Sequence, residues 1–283
     1  MINNEMLKCP VCSNILSEYN HSYVCSNKHT FDIASKGYVN LLMSHQKSSK
    51  EPGDNKQMVV ARNSFLNRGF YKNLSETVNS IVMKHIESIG NVKKYDILDS
   101  GCGEGYYIDS LDRCLKDKNI AADLLGIDIS KDAIKLASSR NRNICFAIAS
   151  SFNIPACSNT IDYLLQIFSP CSNEEFERVI NDKGILISVI PGKKHLFGLK
   201  EVLYDQPYEN DEVEYPLTSF KVISQKRIEY DINLEDTEDI RNLLMMTPYY
   251  WRTNEEKISK LNRIESLKTP VEFMITAYSK KQR

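Results

Sequence analysis

Residues 96–107 decide the fold of this chain, with the sequence Asp-Ile-Leu-Asp-Ser-Gly-Cys-Gly-Glu-Gly-Tyr-Tyr. Apolar residues lead into Asp99, a turn with three glycines follows, and a helical pattern begins near Tyr106. Glycine lets a backbone adopt positive φ and approach a ligand closely, and a helix start offers unpaired N–H groups. The stretch therefore predicts a strand, a ligand-binding turn and a helix, in that order.

Beyond this turn, short apolar runs alternate with segments of helical periodicity. Strands are predicted at 97–98, 124–127, 144–149, 163–168 and 185–190, and helices at 106–115, 131–140 and 174–180. Two more helices are predicted before the turn, at 55–68 and 73–89. This alternation predicts an α/β fold, a doubly wound sheet with a mainly parallel core. The tail beyond Glu201 has no clear pattern and is interpreted as a continuation of the same domain.

The glycine spacing discriminates among three classes of nucleotide-binding turn. A nicotinamide site needs a third small residue where Tyr106 stands, and a P-loop needs a Lys-Ser/Thr pair that is absent. The run Asp-x-Gly-Cys-Gly-x-Gly instead resembles motif I of the class I SAM-dependent methyltransferases, which have a Rossmann-like fold and use S-adenosylmethionine (SAM). The resemblance implies that Asp99 ends a strand and that the turn with Gly101 and Gly103 holds the methionine part of SAM.

A second acid, Asp128, follows the next predicted strand, 29 residues after Asp99. Acids at the ends of consecutive parallel strands converge at one sheet edge, where open α/β sheets bind ligands. The resemblance implies that Asp128 binds both ribose hydroxyls of SAM. The alternative is a packing turn with a helix-capping aspartate, and two matched signals favour the cofactor site over it.

Three of the eight cysteines lie near the N-terminus and are followed at once by a histidine. Cys9-x2-Cys12 and Cys25-x3-His29 form two pairs separated by a hairpin-length insert. A Cys3His set of this spacing is typical of a closed, tetrahedral structural zinc site. The alternative, four unconnected residues, does not explain the pairing. Zinc would stabilise a segment too small to fold on its own core.

Taken together, the motifs resemble one family, the RlmA (RrmA) type 23S rRNA guanine-N1 methyltransferases. The matching runs are Cys-Pro-x-Cys from Cys9, then 36–42 (Lys-Gly-Tyr-Val-Asn-Leu-Leu), 52–54 (Pro-Gly-Asp), 101–107, 191–196 (Pro-Gly-Lys-Lys-His-Leu), 246–248 (Met-Thr-Pro) and 251–252 (Trp-Arg). They occur in the family's order over nearly the whole chain. The resemblance implies a class I SAM-dependent methyltransferase domain, a small N-terminal zinc-binding domain and a homodimer.

The same resemblance implies the substrate and further site residues. The substrate class is a guanosine in a hairpin loop of domain II of 23S rRNA, methylated at N1. Tyr71, Gly103, Glu104 and His195 match positions that contact SAM in the family, and Cys9, Cys12, Cys25 and His29 match its zinc ligands. From the residues alone, Tyr71 would be interpreted as a packed aromatic and His195 as a surface histidine.

The composition of the chain and the distribution of its charges predict its domain boundaries, its localisation and the part that meets an anionic partner. We predict a zinc-binding module at 1–35, a connecting segment at 36–75 and the methyltransferase domain at 76–283. The longest apolar runs are strand-sized, and the first residues lack a secretion-signal pattern, so we expect a cytoplasmic protein with no membrane partner. Residues 1–72 carry a net charge of +4 and the rest −5, which suggests that an anionic partner meets the N-terminal part first.

Several assignments stay open at the level of the sequence. The base that removes the guanine N1 proton could be His195, Glu104 or a C-terminal acid. The aromatic residues considered as stacking platforms for the target base are Phe168, Tyr249, Tyr250 and Trp251, and the basic residues considered as phosphate contacts are Lys36, Lys47, Lys50, Lys56 and Arg62. Two competing hypotheses are a small-molecule methyltransferase with a structural zinc module and a zinc-mediated binding protein with a vestigial cofactor fold.

Overall fold

The computed structural model describes residues 6–46, 52–90, 94–212, 215–261 and 263–281. Its strands are β1 (Leu16–Tyr19), β2 (Ser22–Cys25), β3 (Thr30–Asp32), β4 (Tyr38–Asn40), β5 (Tyr95–Ser100), β6 (Ala122–Asp128), β7 (Cys145–Ile148), β8 (Ile161–Ile167), β9 (Ile180–Pro191), β10 (Phe220–Leu234) and β11 (Leu267–Lys280). Its helices are α1 (Lys56–Asn67), α2 (Lys72–Ile89), α3 (Tyr106–Asp117), α4 (Lys131–Arg140), α5 (Asn173–Val179), α6 (Phe197–Leu203), α7 (Thr237–Met245) and α8 (Glu255–Leu261). The strands and helices predicted from the sequence at 55–190 are confirmed.

Eight strands form one sheet in the order β10-β11-β9-β8-β5-β6-β7-β4. The strands from β9 to β4 pair in parallel, while β11 runs antiparallel to β9 and β10 antiparallel to β11. The order of the strands reverses at β5, because β6 and β7 lie on one side of it and β8 and β9 on the other. Sheets of this kind bind ligands in the crevice outside the carboxyl ends of the strands at such a reversal, which here are the ends of β5 and β8.

Both faces of the central strands are covered, which explains their continuous apolar runs. Ile97 packs with the helices on one face, and Leu98 packs on the other. That second face is covered partly by the N-terminal three-stranded sheet, β1-β2-β3. The main-chain N–H of Lys8 donates to Pro155 O at 3.0 Å. The side chain of Tyr23 is buried, and its Oη lies 3.7 Å from Cys145 Sγ. The N-terminal module is therefore packed onto the large sheet.

The segment at 36–75, predicted to be a connector, contains regular structure of the large domain. β4 pairs in parallel with β7 at the sheet edge, and α1 packs against α7 and α4. Asn55 caps α1, since its side chain accepts a hydrogen bond from Met58 N at 3.0 Å. Asp54 O accepts a hydrogen bond from Ser130 Oγ at 2.7 Å, so this segment reaches the carboxyl end of β6. The domain boundaries stay a prediction. Among the described residues, no helix is long and apolar enough to cross a membrane.

Candidate functional site

The glycine-rich turn bends tightly over the end of β5. Both Gly101 N and Cys102 N donate to Ile127 O, at 2.8 and 2.9 Å, and Gly101 has a φ of +85°. A Cβ on Gly101 would lie 2.3 Å from the Cβ of Ser169, the second residue after β8. Only glycine fits at this position, because the end of β8 presses directly against the turn.

Asp128 ties the turn to the end of β6. Its two carboxylate oxygens accept hydrogen bonds from Gly103 N at 2.9 Å and Ser130 N at 2.8 Å. Burial raises the pKa of Asp128 above its ordinary value, although these two N–H donors work in the opposite direction. The two elements predicted to meet at the sheet edge are therefore in direct contact.

The surroundings of Asp99 show whether this edge of the sheet fits a polar cofactor. Its side chain is 1% exposed, and neither carboxylate oxygen has a hydrogen-bond partner among the described residues. Burial, with the nearby charges of Asp128 and Glu104, raises the pKa of Asp99 well above its ordinary value. Buried polar atoms are nearly always paired, so an orphaned carboxylate beside a glycine turn fits a cofactor that brings hydrogen-bond donors and positive charge.

Glu104 is held in the turn by an arginine from α4. Arg140 donates from Nε to Glu104 O at 3.1 Å and lies 3.4 Å from its Oε1. A second arginine, Arg62 of α1, donates to the Asp54 carboxylate and, at 3.1 Å, to Met246 O. Arg62 is thereby bound within the protein and is not free to meet a phosphate; Lys47 and Lys50 lie outside the described residues.

Tyr71 and His195 lie together, although 124 positions separate them in the chain. Tyr71 Oη is 3.3 Å from His195 Nε2, and Glu272 N donates to His195 Nδ1 at 3.3 Å. Because Nδ1 accepts, the ring proton is assigned to Nε2, which faces Tyr71. The rings of Phe168 and Phe273 complete this cluster, with centroids 6.5 and 5.0 Å from that of Tyr71.

Phe168 connects the aromatic cluster to the turn. It follows β8 directly, has a φ of +53° and is 42% exposed. The next residue, Ser169, donates from Oγ to Ser100 O. The exposed ring therefore stands next to the glycine-rich turn.

Replacing His195 with glutamine should make the folding stability less sensitive to acid. Burial, with the charge of Lys200, lowers the pKa of His195 from 6.5 to about 3. Below pH 6.5 the His195 imidazole binds a proton in the unfolded chain but not in the folded chain. The folding stability that is present above that pH is therefore lost as the pH falls. Between about pH 7.5 and pH 5 we expect the wild type to lose about 2 kcal/mol more than His195→Gln.

Denaturant unfolding at the two pH values measures this difference. The exposed His21 provides the matched control, and His21→Gln should follow the wild type. Parallel pH dependence of His195→Gln and the wild type would contradict the buried, neutral imidazole.

The four predicted zinc ligands converge in the N-terminal module. Their ligand atoms all lie within 4.8 Å of one another. Cys9 Sγ and Cys25 Sγ are 3.6 and 3.4 Å from His29 Nδ1, and Cys12 Sγ is 3.6 Å from Cys25 Sγ. A tetrahedral ion with zinc–sulfur bonds of about 2.3 Å places its ligands roughly 3.7 Å apart. The donor set and its spacing fit a structural zinc ion.

Sequence reasoning missed Asp54 and Phe273 as residues of this edge, and it considered Arg62 only as a phosphate contact. Asp54 and Arg62 precede the glycine-rich turn by more than 38 positions, and Phe273 comes from the unpatterned tail. The run Pro-Gly-Asp at 52–54, which is part of the family likeness, is the signal that could have indicated Asp54. For Arg62 and Phe273, no local pattern distinguishes them from ordinary helix and strand residues.

Two family models match the chain. Residues 7–50 match the zinc-ribbon family described as RlmA, N-terminal, and residues 91–241 match a family described as methyltransferase domain. The second match covers just over half of the chain. The first contains all four candidate zinc ligands, and the second contains the glycine-rich turn, Asp128 and His195.

Curated relatives match over almost their full length. YxjB of Bacillus subtilis (strain 168), named for 23S rRNA (guanine-N(1)-)-methyltransferase activity, is 32% identical over 279 residues, covering 95% of each chain. The 23S rRNA (guanine(748)-N(1))-methyltransferase of Streptomyces fradiae is 27% identical over 259 residues, covering 90% of this chain and 89% of its own.

Solved structures also overlap with the chain. The YcgJ protein of Bacillus subtilis covers 67% of this chain and 93% of its own at 13% identity and a TM-score of 0.45. Phosphoethanolamine N-methyltransferase 2 of Haemonchus contortus, in complex with S-adenosyl-L-methionine, covers 81% of this chain and 58% of its own at 14% identity and a TM-score of 0.43.

Proposed function

Since this chain belongs to the family of 23S rRNA (guanine-N1)-methyltransferases with an RlmA-type zinc ribbon, we propose that it methylates N1 of a guanosine in a hairpin loop of domain II of 23S rRNA. The chain is a SAM-dependent enzyme with a structural zinc site. The observation that carries the proposal is the joint presence of this ribbon and the cofactor edge in one chain, matched over 95% of its length by YxjB.

The cofactor site that we propose consists of the residues predicted from the sequence. Gly101, Gly103 and Glu104 form the turn, Asp99 lies in β5 just before it, and Asp128 ends β6. Tyr71 and His195 lie near the ring of Phe168, the residue that follows β8. When bound, SAM supplies an electrophilic methyl group on a sulfonium ion. Asp99 is placed to accept a hydrogen bond from the cofactor, and Asp128 borders the position proposed for its ribose.

The aromatic cluster orients the target base. The exposed ring of Phe168 offers a stacking surface at the carboxyl end of β8, as expected for a base splayed from an RNA loop. In His195, Nδ1 accepts a hydrogen bond from Glu272 N–H and Nε2 carries the ring proton, so neither nitrogen is free to accept another proton. We therefore propose that His195 helps to position the guanine and does not remove its N1 proton. Holding the guanine in line with the methyl group is the main contribution of these residues.

We also propose a cytoplasmic homodimer acting on 23S rRNA, with the zinc module at 1–35 and the methyltransferase domain at 76–283. The family likeness supports the dimer, and sedimentation of the zinc-loaded chain over a range of concentrations tests it.

Methyl transfer from radiolabelled SAM to 23S rRNA, followed by nucleoside analysis, tests the proposed reaction. We expect 1-methylguanosine as the labelled product. Asp128→Asn should raise the KM for SAM roughly 10-fold to 100-fold, because two N–H donors lose a charged acceptor.

A buried aspartate at the opposite end of the same strand provides the control. Asp123 pairs with Lys94 at 2.6 Å, and Asp123→Asn should keep the wild-type KM. Label in a small molecule but not in RNA, or label at another base position, would overturn the proposed function.

A further inference from the structure

A short strap formed by residues 52–54 crosses the end of β6 beside Asp128. Ser130 Oγ donates to Asp54 O at 2.7 Å, and Ser130 N donates to Asp128. A Cβ on Gly53 would lie 2.8 Å from Ile129 Cγ2, so the strap is in close contact with the residues that follow β6. The strap therefore borders the position proposed for the cofactor ribose.

Arg62 joins this strap to the other side of the crevice. Its guanidinium binds the Asp54 carboxylate and donates to Met246 O at 3.1 Å, just after α7. Arg62 Nη1 also lies 4.0 Å from where a Cβ on Gly103 would stand. One side chain thus contacts the strap and the segment after α7, at the edge of the glycine-rich turn.

The charges around Arg62 explain why a cation is needed at this place. The carboxylates of Asp54, Glu104 and Asp128 all interact electrostatically with Arg62. Arg140 pairs with Glu104, but the strap carboxylate of Asp54 is bound by Arg62. Without that guanidinium, Asp54 would face the negative charge of Asp128 at close range and would be repelled from it.

We propose that Arg62 is a positioning residue of the cofactor site. Arg62 holds the strap at 52–54 against the end of β6, and the strap then forms the side of the site that borders the ribose of bound SAM. Asp54 is its partner in this role. The inference rests on the cofactor part of the proposed function and is independent of the RNA substrate.

Titration calorimetry with SAM, in the absence of RNA, tests this role. Arg62→Met and Asp54→Asn should each raise the Kd of SAM about tenfold. Because both substitutions break the same contact, the double variant should resemble the weaker-binding single variant, without multiplying the two effects. Arg62→Lys keeps the charge but not the second contact, so its Kd should fall between those of the wild type and Arg62→Met.

Arg68 provides a matched control on the same helix. It caps the C-terminal end of α1 and pairs with Asp239 at 3.0 Å, so Arg68→Met should keep the wild-type Kd. The far-UV circular dichroism of Arg62→Met should match that of the wild type, which separates weaker SAM binding from a generally damaged fold.

Three outcomes of these binding measurements overturn the proposal. An unchanged Kd in Arg62→Met, equal losses in Arg62→Met and Arg68→Met, or multiplied effects in the double variant would each show that the strap contact does not set SAM affinity. A wild type that binds SAM but does not methylate rRNA would refute the proposed substrate and leave this inference standing, whereas a wild type that does not bind SAM would refute both.

Discussion

Replacing Gly101 with alanine is expected to weaken SAM binding by roughly 100-fold and to abolish measurable methyl transfer. The new Cβ would lie 2.3 Å from Ser169 Cβ and 2.8 Å from Ser169 Oγ. Ser169 cannot move away easily, because its Oγ donates to Ser100 O and its own carbonyl accepts from Gln166 and Tyr215. The φ of +85° adds about 1–2 kcal/mol of backbone strain for any residue with a side chain.

Gly37→Ala separates the strain from the clash. Gly37 has a φ of +90°, and a Cβ there would meet nothing within 4 Å. This control should lose about 1–2 kcal/mol of stability and keep the wild-type Kd for SAM, measured by calorimetry. Adding Ser169→Gly to Gly101→Ala should restore part of the binding, since it removes the atoms that clash. Wild-type affinity in Gly101→Ala alone would contradict the close packing of the turn.

The sequence was informative wherever a structural requirement is local. The apolar runs of β5 to β9 predict buried parallel strands because each strand is covered on both faces, and the glycines of the turn are required by backbone geometry within a few residues. The zinc ligands are predictable for the same reason, since two short spacings bring four donor atoms together. The strands are confirmed by the structure, and the assignments of the turn and zinc residues stay predictions that its geometry supports.

The elements that the sequence did not predict depend on distant contacts. Among the described strands, β10 pairs only with β11, and most of its residues are exposed, so no apolar alternation indicates it. Arg62 matters because α1 brings it to Asp54 and to the carbonyl of Met246, a residue 184 positions later. Tyr71 and His195 were predicted by family likeness alone, because their contact depends on how α2 and the loop after β9 are packed.

Replacing Cys9 with serine is expected to remove the zinc ion and to lower the Tm of the whole chain by more than about 10 °C. The strands of the ribbon have four, four and three residues, which is too little structure to persist without the ion. Zinc content by mass spectrometry and Tm by calorimetry measure the two effects. The matched control is Cys114→Ser, which lies in α3 outside the cluster and should keep both zinc and Tm.

Loss of zinc should also weaken SAM binding, because the ribbon supports the strands that carry the cofactor residues. One hydrophobic cluster joins Leu98 of β5 and Leu125 of β6 to three residues of the ribbon, Leu7, Leu16 and Tyr23. The cofactor residues Asp99 and Asp128 lie at the carboxyl ends of the same two strands. Unfolding the ribbon uncovers this face of β5 and β6. If Cys9→Ser kept the wild-type Kd for SAM and lost only RNA methylation, the ribbon would act in RNA recognition alone. A parallel loss of both, which we expect, means that the zinc ion stabilises the cofactor site through the sheet.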